Sequence, residues 1–390
     1  MKLFDISKDY QVEKSRSMNY EDLIGLEISK TGYVLEHRVA QLLKAKGWSV
    51  ISGEYYVDDN EDVPREMDLI AYRVAKIDND EIEVYTVLII SCKKSEENAW
   101  ALLARNINLK DPNTDYWPLH CWTNDVALGY QLAISGKPKK YHEGVRIHGV
   151  TDAAADPQVE VFAFQEMSKI NGSPRNDRAI FNSLTSLVKA QAYEISALPA
   201  RKKSKAVYQF NLISVLGTDM YRLMFADAGG GVKAVAIESE QYIARYIVAK
   251  RESFSRIRFL TEDGFSESLD DYGRLHAANA RWFAGEYADF YRDIVCDDKR
   301  TEVLMSKFHD KVRFPVKWRL ERKFKNISYD DKPLLSWNLD FSDLSVEYMY
   351  GDDVLDFMNE DEDINNIVAA ALKAIYRYEG SFKFRFEIPF

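Results

Sequence analysis

Residues 82–94 read IEVYTVLIISCKK, a nearly continuous apolar and β-branched run that ends in two lysines. Such a run is typical of a central strand that is covered on both faces of its sheet. Because side chains alternate along a strand, Ser91 and Lys93 are predicted on one face and Cys92 on the other. A buried strand commonly ends where the chain reaches solvent, so Lys93 taken alone also has an ordinary explanation as a surface lysine.

A helix and two strands are predicted just before this run. The helix covers residues 31–46, where apolar residues recur at helical spacing and Gly47 follows as a cap. Strands are predicted over 48–57 and 67–75, with the acidic turn 58–62 between them. The predicted order up to the central run is therefore α-β-β-β.

The chain beyond the run is predicted to complete this unit and then to form a smaller one. Prolines break residues 95–175 into short pieces around one strand at 159–164, which we interpret as an insertion. The later predicted elements are a helix at 177–196, strands at 207–216, 220–226, 232–238 and 254–260, a hairpin turn at the glycine triplet 229–231, a helix from about 276 and an acidic linker at 359–363. The predicted domains are a peripheral segment 1–30, a core 31–270 that includes the insertion, and a C-terminal accessory domain 271–390.

Composition bounds the class of protein. A chain of 390 residues favours two or three domains, and 46% hydrophobic with 29% charged residues excludes wholesale disorder. No apolar run approaches the length of a membrane span, and the first residues lack a signal-peptide layout, so we expect a cytoplasmic protein without a membrane partner. The cysteines Cys92, Cys121 and Cys296 are too dispersed for a zinc cluster.

The charge balance limits how the chain could bind nucleic acid. A net charge of -10 argues against a protein that coats nucleic acid along its whole surface. A local basic groove is compatible with it, and residues 201–205 and 317–325 are two basic stretches that could contribute. Since a charge run is more often a solvated face, both interpretations stay open.

Two acidic residues near the central run occupy positions where a carboxylate is unusual. Glu36 lies at the edge of the apolar face of the first helix, and a carboxylate there needs water, a cation, a metal or protonation. Asp68 interrupts a predicted strand, although it could simply mark the exposed start of that strand. Either residue alone is weak support for a functional site.

The three segments LEHR (35–38), REMDLIA (65–71) and LIISCKKS (88–95) follow one another in the order helical Glu, strand Asp and strand-ending Lys. This order resembles the PD-(D/E)xK superfamily of restriction-endonuclease-like nucleases. The resemblance covers residues 31–96, and the helix and strands of 177–226 would complete the core. It implies an α/β fold with a restriction-endonuclease-like α-β-β-β-α-β core, an insertion and a C-terminal α+β accessory region.

The resemblance also implies a role for each motif residue. Asp68 would bind Mg²⁺ or Mn²⁺, Glu36 would complete the metal shell, and the backbone carbonyl of Cys92 would add a ligand. Lys93 would orient the attacking water and offset charge on the phosphate. One departure is that Ser91 stands where the family carries its second acidic ligand. Either Glu36 compensates, another acid such as Glu66, Glu96 or Glu97 takes over, or the site is catalytically weak.

The function implied is a Mg²⁺-dependent nuclease that acts on nucleic acid, above all DNA, in restriction or anti-phage defence, with endo- and exonuclease action both open. Candidate substrate contacts are Gln191, Lys94, Arg201, Lys202 and Lys203, although core-edge polarity explains Gln191 as well. Association with a second copy of the chain or with a partner defence protein stays open. The alternatives are a catalytically degenerate nuclease-like fold that binds nucleic acid or assembles with proteins, for which Ser91 is the main argument, and an unrelated scaffold in which Asp68 and Lys93 are surface residues.

Overall fold

The structure is a computed structural model that describes residues 19–58, 63–79, 81–225, 231–248, 250–324, 327 and 332–386. Its first elements are helix α1 (Tyr20–Ser29), helix α2 (Gly32–Ala45) and strands β1 (Ser49–Val57), β2 (Pro64–Ile77) and β3 (Ile82–Lys94). Helix α1 has no buried residue, whereas α2 buries the stripe that its apolar spacing predicts. Gly47 follows α2 with a φ of +79°, the left-handed conformation that favours glycine after a helix. The predicted α-β-β-β order is confirmed.

The remaining elements fill the rest of the chain. In order they are β4 (Asn98–Asn106), β5 (Cys121–Thr123), α3 (Val126–Leu132), α4 (Lys137–Ile147), β6 (Val159–Ser168), α5 (Arg178–Arg201), β7 (Ala206–Gly217), β8 (Met220–Phe225), β9 (Val232–Ala236), β10 (Ser239–Val248), β11 (Arg251–Thr261), α6 (Glu262–Tyr291), α7 (Asp298–Lys323), β12 (Leu334–Asn338), β13 (Asp343–Tyr348), α8 (Asp352–Glu360), α9 (Glu362–Tyr376) and β14 (Phe382–Phe386). The protein is thus of mixed α/β class.

The main sheet has the strand order β1-β2-β3-β7-β11-β10, with β5 paired to β7. Strands β1, β2 and β3 pair antiparallel, and β3 pairs parallel with β7 after the crossover through α5. Ile89 packs on the α5 side of the sheet with Leu187, whereas Leu88 packs on the other side with Leu35 of α2 and Leu269 of α6. Strand β3 is therefore central and covered on both faces, as its apolar run predicts.

A second sheet, in the order β6-β4-β8-β9, corrects two sequence-based assignments. Residues 98–106, which the prolines of the region led us to treat as irregular, form β4 between β6 and β8. Strand β8 pairs with β4 instead of extending the main sheet. Strands β8 and β9 form the predicted antiparallel hairpin, while Gly229 and Gly230 of its expected turn lie outside the described residues.

Strand β10 had no counterpart in the sequence analysis. Its Glu240 is buried and forms an ion pair with Arg222 of β8, so a charge stands where alternation would place an apolar residue. The apolar signal of the strand is weakened at that position. Only the tertiary partner explains why the charge is tolerated.

The C-terminal region has its own small sheet, in the order β12-β13-β14, packed with α7, α8 and α9. The expected domain boundary at residue 271 falls inside α6, whose first half packs on the main sheet. The stretch 359–363, which we expected to be a linker, is instead the junction of α8 and α9. Asp361 caps α9 there and pairs with Arg319 at 3.1 Å. In the described part of the chain, no helix combines the length and apolar character that a membrane span requires.

Candidate active site

A fork in the main sheet creates the candidate site. The ladder between β2 and β3 ends at the pair Leu69–Ile90. Beyond that pair, β3 continues along β7 as far as Lys94–Gly217, and β2 continues along β1 as far as Val57–Pro64. Strands β2 and β3 therefore separate where their sequences change from apolar to charged.

Asp68 and Lys93 meet in this fork. The Asp68 carboxylate accepts hydrogen bonds from the Cys92 backbone N–H at 2.6 Å and from Lys93 Nζ at 3.2 Å, both at Oδ2. Lys93 Nζ also donates to the backbone carbonyl of Cys92 at 3.2 Å. The side chains of Lys93 and Asp68 are 29% and 21% exposed, so the pair is open to a ligand while being largely desolvated. The structure thus brings together two of the residues that the sequence motif names.

Glu36 reaches the same group from α2. Burial raises the pKa of the Glu36 carboxyl, the negative charge of Asp68 raises it further, Lys93 opposes the rise, and Glu66 adds to it. A carboxylate whose pKa is raised by a second carboxylate indicates a local excess of negative charge. The charges of Asp68 and Lys93 therefore act on the Glu36 carboxyl, while the direct contact at the fork is that between Asp68 and Lys93.

The donors at the fork suit a magnesium ion that keeps most of its water. Mg²⁺ is commonly held by one or two carboxylates together with substrate phosphates. Asp68 and Glu36 can supply carboxylate oxygens. The Cys92 carbonyl accepts a hydrogen bond from Lys93 Nζ, which also donates to Asp68. Among the described residues, no group of three or more His, Cys, Asp or Glu residues is arranged to hold a metal. The described residues could therefore supply only part of the coordination shell of a metal ion, and water or a bound ligand would have to supply the rest.

Ser91 lies beneath the fork. It is 4% exposed, and within the described chain its hydroxyl has no hydrogen-bond partner. In the register of β3 with β7 it stands opposite Ser214, whose hydroxyl is bonded to Ser183 of α5 at 2.8 Å. Position 91 therefore holds a small buried hydroxyl between the sheet and α5.

Cys92 points its thiol into the core on the α2 side of the sheet. Burial raises the pKa of this thiol well above its ordinary value, and the charges of Asp68 and Glu36 raise it further. A buried thiol with a raised pKa is a poor metal ligand because metals bind the thiolate. Of the groups of Cys92, only the backbone can serve the site.

An open groove of about 780 Å³ runs from the fork along α5. It is lined by Asp68 and Lys93 together with residues that sequence reasoning missed, among them Arg178, Phe181, Asn182, Lys189 and Tyr246. The polar face of α5 was a signal for these residues, because the first turns of that helix alternate polar side chains with the buried stripe. The walls of the groove carry both acidic and basic side chains, among them Asp68, Lys93 and Arg178.

Asp58 closes one side of the groove. It is 3% exposed and forms ion pairs with Lys189 at 2.8 Å and with Arg65 at 3.0 Å. Beside it, burial raises the pKa of the Tyr56 phenol to about 12, with Asp58 as the next cause. The sequence analysis placed Asp58 in an acidic turn, of which residues 59–62 lie outside the described residues.

The expected substrate contacts do not gather at the fork. Gln191 is 3% exposed and lies in a separate cavity, where Ser255 approaches its side-chain oxygen at 3.5 Å. Lys94 points to the opposite face of the sheet from Lys93 and donates to the backbone of Ser29.

The basic stretch at the end of α5 is also remote from the fork. Arg201 pairs with Glu194 at 2.8 Å, Lys202 pairs with Glu83 at the other end of β3, and Lys203 is exposed and donates to Pro199. Ten residues separate Glu83 from Lys93 along β3, a distance of roughly 33 Å at the usual rise per residue. One site cannot use both ends of the strand.

Comparison of the chain with known protein families, with curated proteins and with solved structures found no match.

Proposed function

We propose that the protein is a metal-dependent nuclease that hydrolyses phosphodiester bonds in nucleic acid, above all DNA, in restriction or anti-phage defence. The observation that carries this proposal is the contact of Asp68 with Lys93 at the fork between β2 and β3, with Glu36 of α2 near enough for the charge of Asp68 to raise the pKa of its carboxyl. Two carboxylates can hold a divalent metal and a lysine can offset charge on a phosphate, so these groups suit metal-assisted phosphodiester hydrolysis.

Each residue of the proposed site would have its own role. Asp68 and Glu36 would hold Mg²⁺ or Mn²⁺, which when bound lowers the pKa of a water ligand and offsets charge on the phosphate. Lys93 directs its amine into the groove next to Asp68, where it can orient the attacking water and bind a phosphate oxygen. Glu36 must be ionised to bind a cation, so its raised pKa makes metal binding weaker in acid.

The fold supports the proposal at a coarser level. The order α2-β1-β2-β3, followed by α5 and the parallel strand β7, corresponds to the α-β-β-β-α-β core that the sequence resemblance implies. The elements between β3 and α5 form an insertion with strands of a second sheet. We infer that this arrangement is a restriction-endonuclease-like core.

A degenerate nuclease that binds nucleic acid without cutting it is the second candidate. It is favoured by Ser91, which supplies no carboxylate, and by the lack of a three-acid group in the described residues. In that case the groove would bind a strand while cleavage is absent.

Incubation of the purified chain with single- and double-stranded DNA and with RNA, in Mg²⁺, in Mn²⁺ and in excess chelator, tests the first candidate. We expect cleavage that requires the metal and is lost in Asp68→Asn. Cleavage that persists in chelator would contradict the proposed site. Saturable binding without cleavage in either metal would establish the second candidate instead.

A further inference from the structure

A gap in the main sheet, separate from the groove at the fork, contains a second polar site. Strand β11 pairs with β7 only from Ile257–Leu212 onward, and β5 pairs with β7 only as far as Cys121–Gln209. Between these two ladders lies a cavity. The space that the centres of water molecules could occupy in it is about 40 Å³. One water needs about 10–15 Å³ on such a measure, so the cavity has room for a small polyatomic ion.

Two arginines of β11 face this cavity. Arg256 and Arg258 are two positions apart, so they project to the same face of the strand with Cα atoms roughly 7 Å apart. Two like charges that line one cavity repel each other, and burial strengthens the repulsion. Such a pair needs a negative partner.

Arg258 lacks an adequate partner for its charge. It is 8% exposed; Nε and Nη2 donate to the Ser239 hydroxyl at 3.1 and 3.0 Å, whereas Nη1 is buried without a hydrogen-bond partner. Its one ion pair within the described residues is a contact of 3.8 Å to Asp152, whose side chain is 61% exposed. A buried guanidinium nitrogen left without a hydrogen bond destabilises the fold.

Arg256 is held by neutral groups. Its nitrogens donate to His142 Nδ1 at 3.0 Å, to the Ala155 carbonyl and to Gln241. In the described part of the chain no carboxylate forms an ion pair with it, and Asp156 is engaged by Arg146 at 2.6 Å. Burial lowers the pKa of the Arg256 guanidinium to about 10, with Asp156 opposing the fall.

The histidines on the cavity wall add no counter-charge. His142 Nε2 contacts the Pro118 carbonyl at 3.2 Å, which can only accept, so Nε2 carries the proton and Nδ1 accepts from Arg256. That arrangement is the neutral tautomer, and burial followed by Arg256 lowers the pKa of His142 to about 3. His120 similarly contacts the Phe254 carbonyl at 2.8 Å. The walls therefore present two cations and neutral donors.

We propose that this cavity binds a small oxyanion, of phosphate or sulfate size, between the guanidinium groups of Arg256 and Arg258. The anion would separate the two like charges and fill the gap between β5 and β11. Gln191, on the wall of the same cavity, then lines an anion site and not the nuclease groove. The proposal does not depend on the nuclease function.

The test is a titration of the full chain with sodium phosphate and sodium sulfate, at constant ionic strength set with sodium chloride, read by calorimetry and by the melting temperature. We expect saturable binding that is at least tenfold weaker in Arg258→Gln. Arg245→Gln on the neighbouring strand is the matched control, because Arg245 is 60% exposed, pairs with Glu252 and lies outside the cavity. A nucleoside monophosphate run in parallel distinguishes a free anion from a phosphoryl group, and saturable binding of either one supports the site.

Equal affinity in wild type and Arg258→Gln, or no effect of either oxyanion beyond that of chloride, would overturn the proposal. Should Arg258→Gln fail to fold, crystals of the wild type grown in selenate give an independent answer. An anomalous peak between Arg256 and Arg258 supports the site, and a water there in its place refutes it.

Discussion

The two ends of β3 carry the same kinds of side chain in opposite electrostatic states. At the start of the strand, Glu83 pairs with Lys202 and accepts from Ser204 at 3.1 Å, and the bond to Lys202 is the main cause of its lowered pKa. At the other end, Glu36 has a raised pKa beside Asp68 and Lys93. The first group is satisfied by its own neighbours, whereas the second keeps a surplus of negative charge next to an open groove.

This difference distinguishes a structural ion pair from a site that can bind a ligand. A lysine that neutralises its carboxylate completely stabilises the fold and offers nothing to a substrate. A group with two carboxylates for one lysine gains from an added cation. We therefore expect substitutions at the two ends of β3 to affect different measurements.

The largest expected effect is on cleavage by Asp68→Asn. The variant keeps an acceptor for the Cys92 N–H while it removes the charge that would bind the metal. We expect a loss of about a thousandfold or more in turnover, with Glu83→Gln at the opposite end leaving turnover unchanged. Cleavage assays on the folded variants measure this. Undiminished cleavage by Asp68→Asn would erase the distinction between the two ends.

Lys93→Met is expected to have the next largest effect. It keeps the aliphatic length and deletes the charge, so turnover should fall by about a hundredfold or more, while the melting temperature changes little because the lysine is 29% exposed. Lys202→Met is the matched control, since it breaks the pair with Glu83 and should lower the melting temperature without lowering turnover. If Lys93→Met unfolds easily or turns over normally, Lys93 is a structural or surface lysine.

Ser91→Glu tests whether the buried position beside the fork can reach a metal. A carboxylate there without a cation would be buried unpaired, so the metal-free variant should melt several degrees lower. If residue 91 lies within reach of the metal, Mg²⁺ should restore this loss and bind more tightly than in wild type. Ser214→Glu, opposite Ser91 on β7 and further from Asp68, should melt lower without rescue. Identical Mg²⁺ affinities in wild type and Ser91→Glu, measured by calorimetry, would place residue 91 outside the site.

The smallest expected effect is on the pH dependence of stability. The folded-state pKa of Glu36 is raised above its ordinary value of 4.5, so its ionisation weakens the fold, and the free energy of unfolding falls as the pH rises from 4.5 through the raised pKa. Glu36→Gln should remove this fall and raise the melting temperature slightly at neutral pH without metal. Glu83 has a lowered pKa, so its contribution is present above 4.5 and is lost as the pH falls through the folded pKa. Melting curves from pH 3 to 8 that show the same sign for Glu36→Gln and Glu83→Gln would contradict the comparison.

The helix and strands before the fork could be predicted because their signals are local. Apolar spacing gives α2, and the β-branched run gives β3, without knowledge of any distant residue. The contact of Asp68 with Lys93 follows from the order of these elements, because β2 and β3 are neighbours in the sheet. Strand alternation then explains why Lys93 and Lys94 point to opposite faces.

The features that escaped prediction depend on distant partners. Asp58 is buried because Lys189 lies beside it, 131 positions further along the chain. Ser91 is buried because α5 covers its face of the sheet, where Ser183 contacts Ser214. No local pattern distinguishes an acid in a solvated turn from an acid that closes a groove, so the walls of the site could not be read from the sequence.

The fork between β2 and β3 also leaves one backbone amide dependent on a side chain. Beyond the pair Leu69–Ile90, none of the described strands pairs with β3 on that side, and in the described part of the chain the carboxylate of Asp68 is the acceptor that holds the Cys92 N–H. Its hydrogen exchange therefore follows the opening of one carboxylate and not the unfolding of the sheet, unlike the neighbouring amides that bond to β7. Hydrogen–deuterium exchange at the Cys92 amide reports how often the Asp68 carboxylate releases its hydrogen bond to that amide.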